Sequence, residues 1–147
     1  MRSKRDIKYK KILSLFRQQN GSPFYNAKGL AIGVFSGCFP FFGFQTLIGV
    51  FFAKLTRGNV YLAALGTWIS NPFTYVPLYY FNYKVGSFFL NGTSDEIIQE
   101  NLVLDDLWKQ GSIFSLRLLL GSSCVGFLLA LISGCIVFLI YKIKSKR

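Results

Sequence analysis

Apolar residues run without a charged side chain through residues 29–53, 59–83 and 118–141, and polar or basic stretches separate the three runs. Each run is long enough to cross a hydrocarbon core of ~30 Å at a helical rise of ~1.5 Å per residue. The first two are interrupted near their centres by proline: GLAIGVFSGCFPFFGFQTLIGVFFAKL carries Pro40, and NVYLAALGTWISNPFTYVPLYYFNYKVG carries Pro72. Proline removes a backbone donor and clashes with the carbonyl four residues earlier. Each of these runs is therefore expected to form two half-helices around a break. The third run contains no proline and is expected to be one continuous helix at about 113–141. Broken helices persist in a bilayer where the irregular backbone is buried in protein or lines a cavity. The pattern predicts an all-α integral membrane protein with two proline-broken segments, re-entrant or discontinuous, and one continuous C-terminal transmembrane helix.

Ahead of the runs, Tyr9, Ile12, Leu13 and Phe16 follow the i, i+3, i+4, i+7 spacing of one helical face, with Lys10, Lys11, Ser14, Arg17 and Gln18 on the other. A basic amphipathic helix on the cytoplasmic leaflet fits this pattern, with Lys8, Lys10, Lys11 and Arg17 toward anionic lipid head groups. A partly disordered basic tail is the alternative. Asn20-Gly21 ends that helix, and Ser22-Pro23 supplies an N-cap followed by proline at the first helical position. The chain thus divides into a basic segment (1–28), paired broken segments (29–90), an acidic linker (91–112) and a closing helix with a basic tail (113–147). Within the linker, Thr93-Ser94-Asp95-Glu96 is a capping-box pattern that predicts a short interfacial helix.

Small residues recur at helical spacing in two places. Gly29, Gly33 and Gly37 form one ridge, and Ser122, Gly126, Ala130 and Gly134 form another. Such ridges let a second helix backbone approach closely. Whether the C-terminal ridge meets the broken segments or a second subunit is left open by the sequence. A shift of thirty-two residues also lays Leu30-Ala31 on Leu62-Ala63 and Pro40-Phe41 on Pro72-Phe73, a weak internal repeat.

Length and charge narrow the picture. With 147 residues, 52% of them hydrophobic, one membrane domain is expected. The net charge of +11 gathers at the two ends, while 91–112 is acidic. Basic flanks of membrane segments mark the cytoplasmic side, so both termini are expected there. An even number of crossings follows. One broken segment crosses fully; the simplest solution makes 29–55 a hairpin that returns Lys54 and Arg57 to the cytoplasm, and swapping which segment crosses also satisfies parity but puts Arg57 outside. No nucleic-acid motif accompanies the charge, so nucleic acid is not an expected partner. No cleavable signal sequence is expected. Cys38, Cys124 and Cys135 all fall in apolar runs and read as small buried hydrophobes. The chain contains no histidine, which removes the commonest metal ligand and general base. No catalytic residue, metal or cofactor is expected, and the protein reads as a non-enzyme.

Candidate chemistry lies at the breaks. Pro40, Gln45, Thr46, Thr67, Asn71, Pro72 and Thr74 are the candidate binding residues. Uncharged polar groups there either contact a substrate beside half-helix ends or simply satisfy the broken backbone. Two functions remain: a small transporter or lipid-handling protein with a polar site at the breaks, or a non-catalytic scaffold binding anionic lipid and a partner membrane protein. In either case a homo-oligomer or a partner membrane protein is expected.

The residues Ala31-Ile32-Gly33-Val34-Phe35-Ser36-Gly37, Pro40, Gly43, Gln45-Thr46, Arg57-Gly58-Asn59 and Gly66-Thr67-Trp68-Ile69-Ser70-Asn71-Pro72-Phe73-Thr74 together resemble the bacterial membrane family called domain of unknown function 2062. The similarity covers about 22–86, with the last helix fitting the family's closing segment. It implies a bacterial inner-membrane protein and carries no activity with it. The broken-segment plan is also loosely similar to re-entrant families such as DedA, but this chain lacks their intramembrane acidic residues.

Overall fold

A computed structural model describes residues 21–41 and 43–90 and the backbone of 104–145, with side chains over 111–143 of that last stretch. The N-terminal amphipathic segment with Lys8, Lys10, Lys11 and Arg17, and the Thr93 capping box, lie outside the described residues. Among those described, the chain is helical with no strands. In order the elements are α1 (Pro23–Gly37), α2 (Gln45–Leu55), α3 (Val60–Gly66) running into a 3₁₀ turn (Thr67–Ile69), α4 (Tyr75–Phe89) and α5 (Leu104–Ser145). The closing helix therefore starts at Leu104 and takes in the end of the acidic linker.

Local chemistry sets the boundaries. Ser22 caps α1, its Oγ accepting from Tyr25 N at 3.2 Å, and Pro23 occupies the first turn where a missing N–H is harmless. The helix stops at Gly37, ahead of Pro40. At the far end of α2 the chain closes a Schellman motif: Gly58 N donates to Ala53 O at 2.7 Å and Arg57 N to Lys54 O at 3.1 Å. The left-handed residue of that motif is Arg57 (φ 55°), a position glycine usually fills. Gly58 serves close approach instead, since a Cβ there would stand 3.1 Å from Gly29 N. Asn59 then caps α3, its Oδ1 accepting from Tyr61 N (3.0 Å) and Leu62 N (3.2 Å). The amide of the same side chain donates to Asn26 Oδ1 at 2.7 Å, tying the start of α3 to the first turn of α1.

The glycine ridge of α1 packs inside this unit. A Cβ on Gly29 would meet the Asn59 backbone, one on Gly33 the Ala63 carbonyl, and one on Gly37 Ile69 and Thr67. That ascending order places α3 parallel to α1 and in backbone contact with it. α2 doubles back along α1, and Lys28 Nζ donates to Thr56 O at 2.6 Å, joining the end of α2 to the first half of α1. α5 is the spine. Its Gly134 faces Ala31 and its Gly126 faces Cys38, while further toward its N-terminus Ser122 bonds Asn82 and Arg117 meets Gly86. So α1 and α4 follow one another along α5, and its stretch from Arg117 to Gly134 covers about 25 Å at ~1.5 Å per residue. Ser122, Gly126, Ala130 and Gly134 are all buried, so the partner of the C-terminal ridge is this same chain.

Burial is inverted relative to a water-soluble protein. The fully buried side chains are small or polar, such as Cys38, Ala53, Ala63, Asn26, Asn59 and Asn82, whereas Trp68, Phe73 and Phe88 point outward. Cys135 belongs with the outward set and departs from the buried placement its apolar run suggested. Among the described residues, one helix, Gly111–Ile143, is long and apolar enough to cross a membrane, with a mean hydropathy of 2.6 over its best window.

Gly33→Val should force α1 away from α3 and lower stability by about 2 kcal/mol. Gly111→Ala, at an exposed helical position with nothing within 4 Å of the added carbon, should be neutral or stabilising by ~0.5–1 kcal/mol. Thermal unfolding of both variants in detergent checks the pair.

Candidate functional site

The helix ends ahead of Pro40, so the carbonyls of Cys38, buried, and Phe39, half-buried, have no helical donor four residues on. Phe41 N supplies one donor, to Phe39 O at 2.9 Å, and side chains from two other elements supply the rest. Gln45, at the start of α2, donates from Nε2 to Phe39 O at 2.8 Å and to Tyr79 Oη at 2.6 Å. Tyr79, on α4, also donates to Phe39 O at 3.1 Å. Ser70 Oγ donates to Gln45 Oε1 at 3.0 Å, so both ends of that amide are engaged. Asn82, one turn beyond Tyr79 on α4, donates from Nδ2 to Cys38 O at 2.9 Å and to Ser122 Oγ of α5 at 3.0 Å. Its Oδ1 is buried with no hydrogen-bond partner among the described residues. Thr67 donates to Ala64 O at 2.7 Å, and Thr46 donates to Thr67 at 2.9 Å.

The second break closes on itself. Asn71 Oδ1 accepts from Phe73 N (2.9 Å) and Thr74 N (3.1 Å), an Asx turn around Pro72. Thr74 Oγ1 donates to Ile69 O at 2.7 Å and accepts from Asn71 N at 3.0 Å.

Of the candidate residues, Gln45, Thr46 and Thr67 come together beside the Pro40 break. Asn71, Pro72 and Thr74 form a separate, largely exposed turn that reaches the cluster only through the neighbouring Ser70. Tyr79, Asn82 and Ser122 complete the cluster and were not singled out as site residues from the sequence. A signal was present: Tyr79 and Asn82 are polar residues three apart on one face of an apolar helix. Ser122 read instead as a packing position. Every group in the cluster is uncharged, and nearly every donor and acceptor is already used on the backbone or on another member.

A second feature lies beside the first break. An apolar groove of about 590 Å³ opens between α1, α2 and α5, with Ile32, Phe35, Phe39, Ile48, Phe52 and Phe127 on its walls. Its volume falls in the range of small-molecule sites. Ser36 and Thr56 also line it, but their hydroxyls donate to Gly33 O (3.0 Å) and Phe52 O (2.8 Å) and offer the groove little polarity. It extends from the break, at Phe39 and Phe41, to Thr56 at the end of α2.

The two breaks should be energetically separate. Gln45→Leu removes the amide that joins Ser70, Tyr79 and Phe39 O, leaving Ser70 its bond to Thr67 O and Tyr79 its bond to Phe39 O, and should cost about 2 kcal/mol, while Tyr79→Phe should cost less than about 1 kcal/mol because Phe39 O keeps Gln45. Double-mutant cycles on thermal stability should show coupling between Gln45 and Ser70 and none between Gln45 and Thr74.

No curated protein and no solved structure matches the chain. A family model described as "Uncharacterized protein conserved in bacteria (DUF2062)" matches residues 8–147, nearly the whole length. The run of small, polar and proline positions from Ala31 to Thr74 lies inside that match, and with α5 in place the chain belongs to the DUF2062 family.

Proposed function

We propose that this chain is a non-catalytic, lipid-handling protein of the bacterial inner membrane whose groove between α1, α2 and α5 takes a lipid acyl chain. The observation that carries the reading is the groove itself, apolar along its length and set in segments whose outward faces are apolar too. An acyl chain matches such a lining, because the hydroxyls within it are spent on backbone carbonyls. The polar cluster at the break supports the α1–α2 hairpin that forms the groove wall, and its groups are engaged in that task.

In this reading α1 and α2 form a re-entrant hairpin, α3 and α4 together make one outward crossing, and α5 returns. Three observations support it: the Lys28–Thr56 bond at the base of the hairpin, the parallel course of α1 and α3, and the end-to-end placement of α1 and α4 along α5. Lys28, Lys54, Arg57 and Lys142 then gather on one side with both termini, and the acidic linker lies on the other. The scaffold alternative has less to rest on, since both small-residue ridges are used within the chain.

Single cysteines at Ser94 and Ser145 in a cysteine-free background test the topology. Labelling of position 94 from outside intact cells, with 145 reached only after permeabilisation, is the expected result. Acyl-chain occupancy is tested with a phosphatidylcholine carrying a photoactivatable tail. Crosslinks should concentrate on the peptides around Ile48 and Phe52, and Ile48→Trp, which fills the groove, should reduce them about tenfold, the equivalent of about 1.4 kcal/mol. Even labelling over all outward faces, unchanged by Ile48→Trp, would remove the lipid reading.

A further inference from the structure

The groove ends at Thr56, and that end is cationic. Lys28 places its ammonium 2.6 Å from Thr56 O and 5.1 Å from the centre of the Phe24 ring. An ammonium carries three donors, and the Thr56 carbonyl takes one. Arg57 follows directly in the chain, held in the left-handed conformation by the Gly58–Ala53 and Arg57–Lys54 hydrogen bonds. Gly58 packs on Gly29, so the turn carrying Arg57 is fixed against the same helix that carries Lys28. No described side chain at this end is acidic. Two cations, Lys28 on α1 and Arg57 on the turn braced against it, thus stand at the Thr56 end of the apolar trough.

We infer that the Lys28–Arg57 end of the groove selects an anionic phospholipid, holding its phosphate while the acyl chain lies along Phe52, Ile48 and Phe35 toward the break. The inference rests on the acyl-chain reading above and adds the head group. Charge complementarity decides between lipids that share a tail: a zwitterionic head group brings its own cation against Lys28 and Arg57, and an anionic one does not. Basic groups beside a membrane surface each favour anionic lipid, and arginine matches a phosphate through its planar fork of donors. The turn geometry also gives a useful variant. Asparagine accepts the left-handed backbone that Arg57 occupies, so Arg57→Asn removes the charge without opposing the fold.

The test uses the full chain in nanodiscs of phosphatidylcholine doped with photoactivatable phosphatidylglycerol or photoactivatable phosphatidylcholine of identical tails. The expected result is about five- to tenfold more crosslinking from phosphatidylglycerol at the Phe52–Thr56 peptide. Arg57→Asn, and separately Lys28→Gln, should each lower that ratio, and the double variant should bring it to about one with phosphatidylcholine crosslinking retained. Millimolar glycerol phosphate should leave the ratio unchanged; competition by it would identify a soluble phosphate ester as the occupant and overturn the inference. Equal labelling from both lipids in the unsubstituted protein would overturn the head-group inference and leave the acyl-chain reading standing. Absence of groove labelling from either lipid would overturn both.

Discussion

A backbone carbonyl that has lost its helical donor must be paired again, because in an apolar setting an open one costs several kcal/mol. The helix stop ahead of Pro40 creates that demand at Cys38 and Phe39, Phe41 N meets part of it at Phe39, and the arrangement of the other helices follows from meeting the rest. Gln45 answers from the start of α2, Tyr79 and Asn82 from α4, and Ser122 braces Asn82 from α5. A hairpin bent at Pro40 without α4 and α5 beside it would leave the Cys38 carbonyl and part of the Phe39 pairing unsupplied. The break is thus the junction that draws α2, α4 and α5 to one place.

Close backbone approach makes those short polar reaches feasible. Asparagine and glutamine side chains span only a few ångströms, so they bridge helices only where the backbones nearly touch. Gly29 and Gly33 let α3 lie on α1, and Gly86 with Gly121 let α4 lie on α5. The contact at Gly121 falls on Asn82 itself, which sets the height at which its amide reaches the end of α1. Small residues and buried amides are therefore one device. The bulky aromatic residues, with no place in so tight an interior, face outward.

The groove is a consequence of the same geometry. α2 is shorter than α1 and is held to it by Gly49 against Ser36 at one level and by Lys28 on Thr56 at the other. Between those ties and the face of α5 the large side chains of Phe35, Phe39, Phe52 and Phe127 do not interdigitate. They leave a trough that in a bilayer must be filled by something apolar, since an empty trough forfeits the dispersion contacts of its walls.

Much of this was legible along the chain. Pro40 and Pro72 interrupt their runs for steric reasons that act within a few residues, and the Ser22 and Asn59 caps are equally local. The uninterrupted apolar stretch of α5 needs only its own hydropathy to be recognised. The glycine spacing declared that α1 would be approached closely, and an excess of basic residues marked its ends. The identity of the approaching helix was not legible, because a small-residue face specifies a short distance and not a partner; contact between Gly33 and Ala63 decided it. The make-up of the polar cluster was likewise a tertiary outcome. Gln45 was in view because it follows the break, but Tyr79 and Asn82 reach it across roughly forty residues, once α5 has set the height of α4. Asn71 and Thr74 had the same apparent promise as Gln45, yet their short side chains found backbone partners within five residues and closed a turn of their own. The groove, whose walls come from 31–56 and 127–131, exists only between packed helices. Local sterics and hydropathy are encoded residue by residue, whereas a void and a shared hydrogen-bond network belong to the spaces between elements, and those are set when the helices pack.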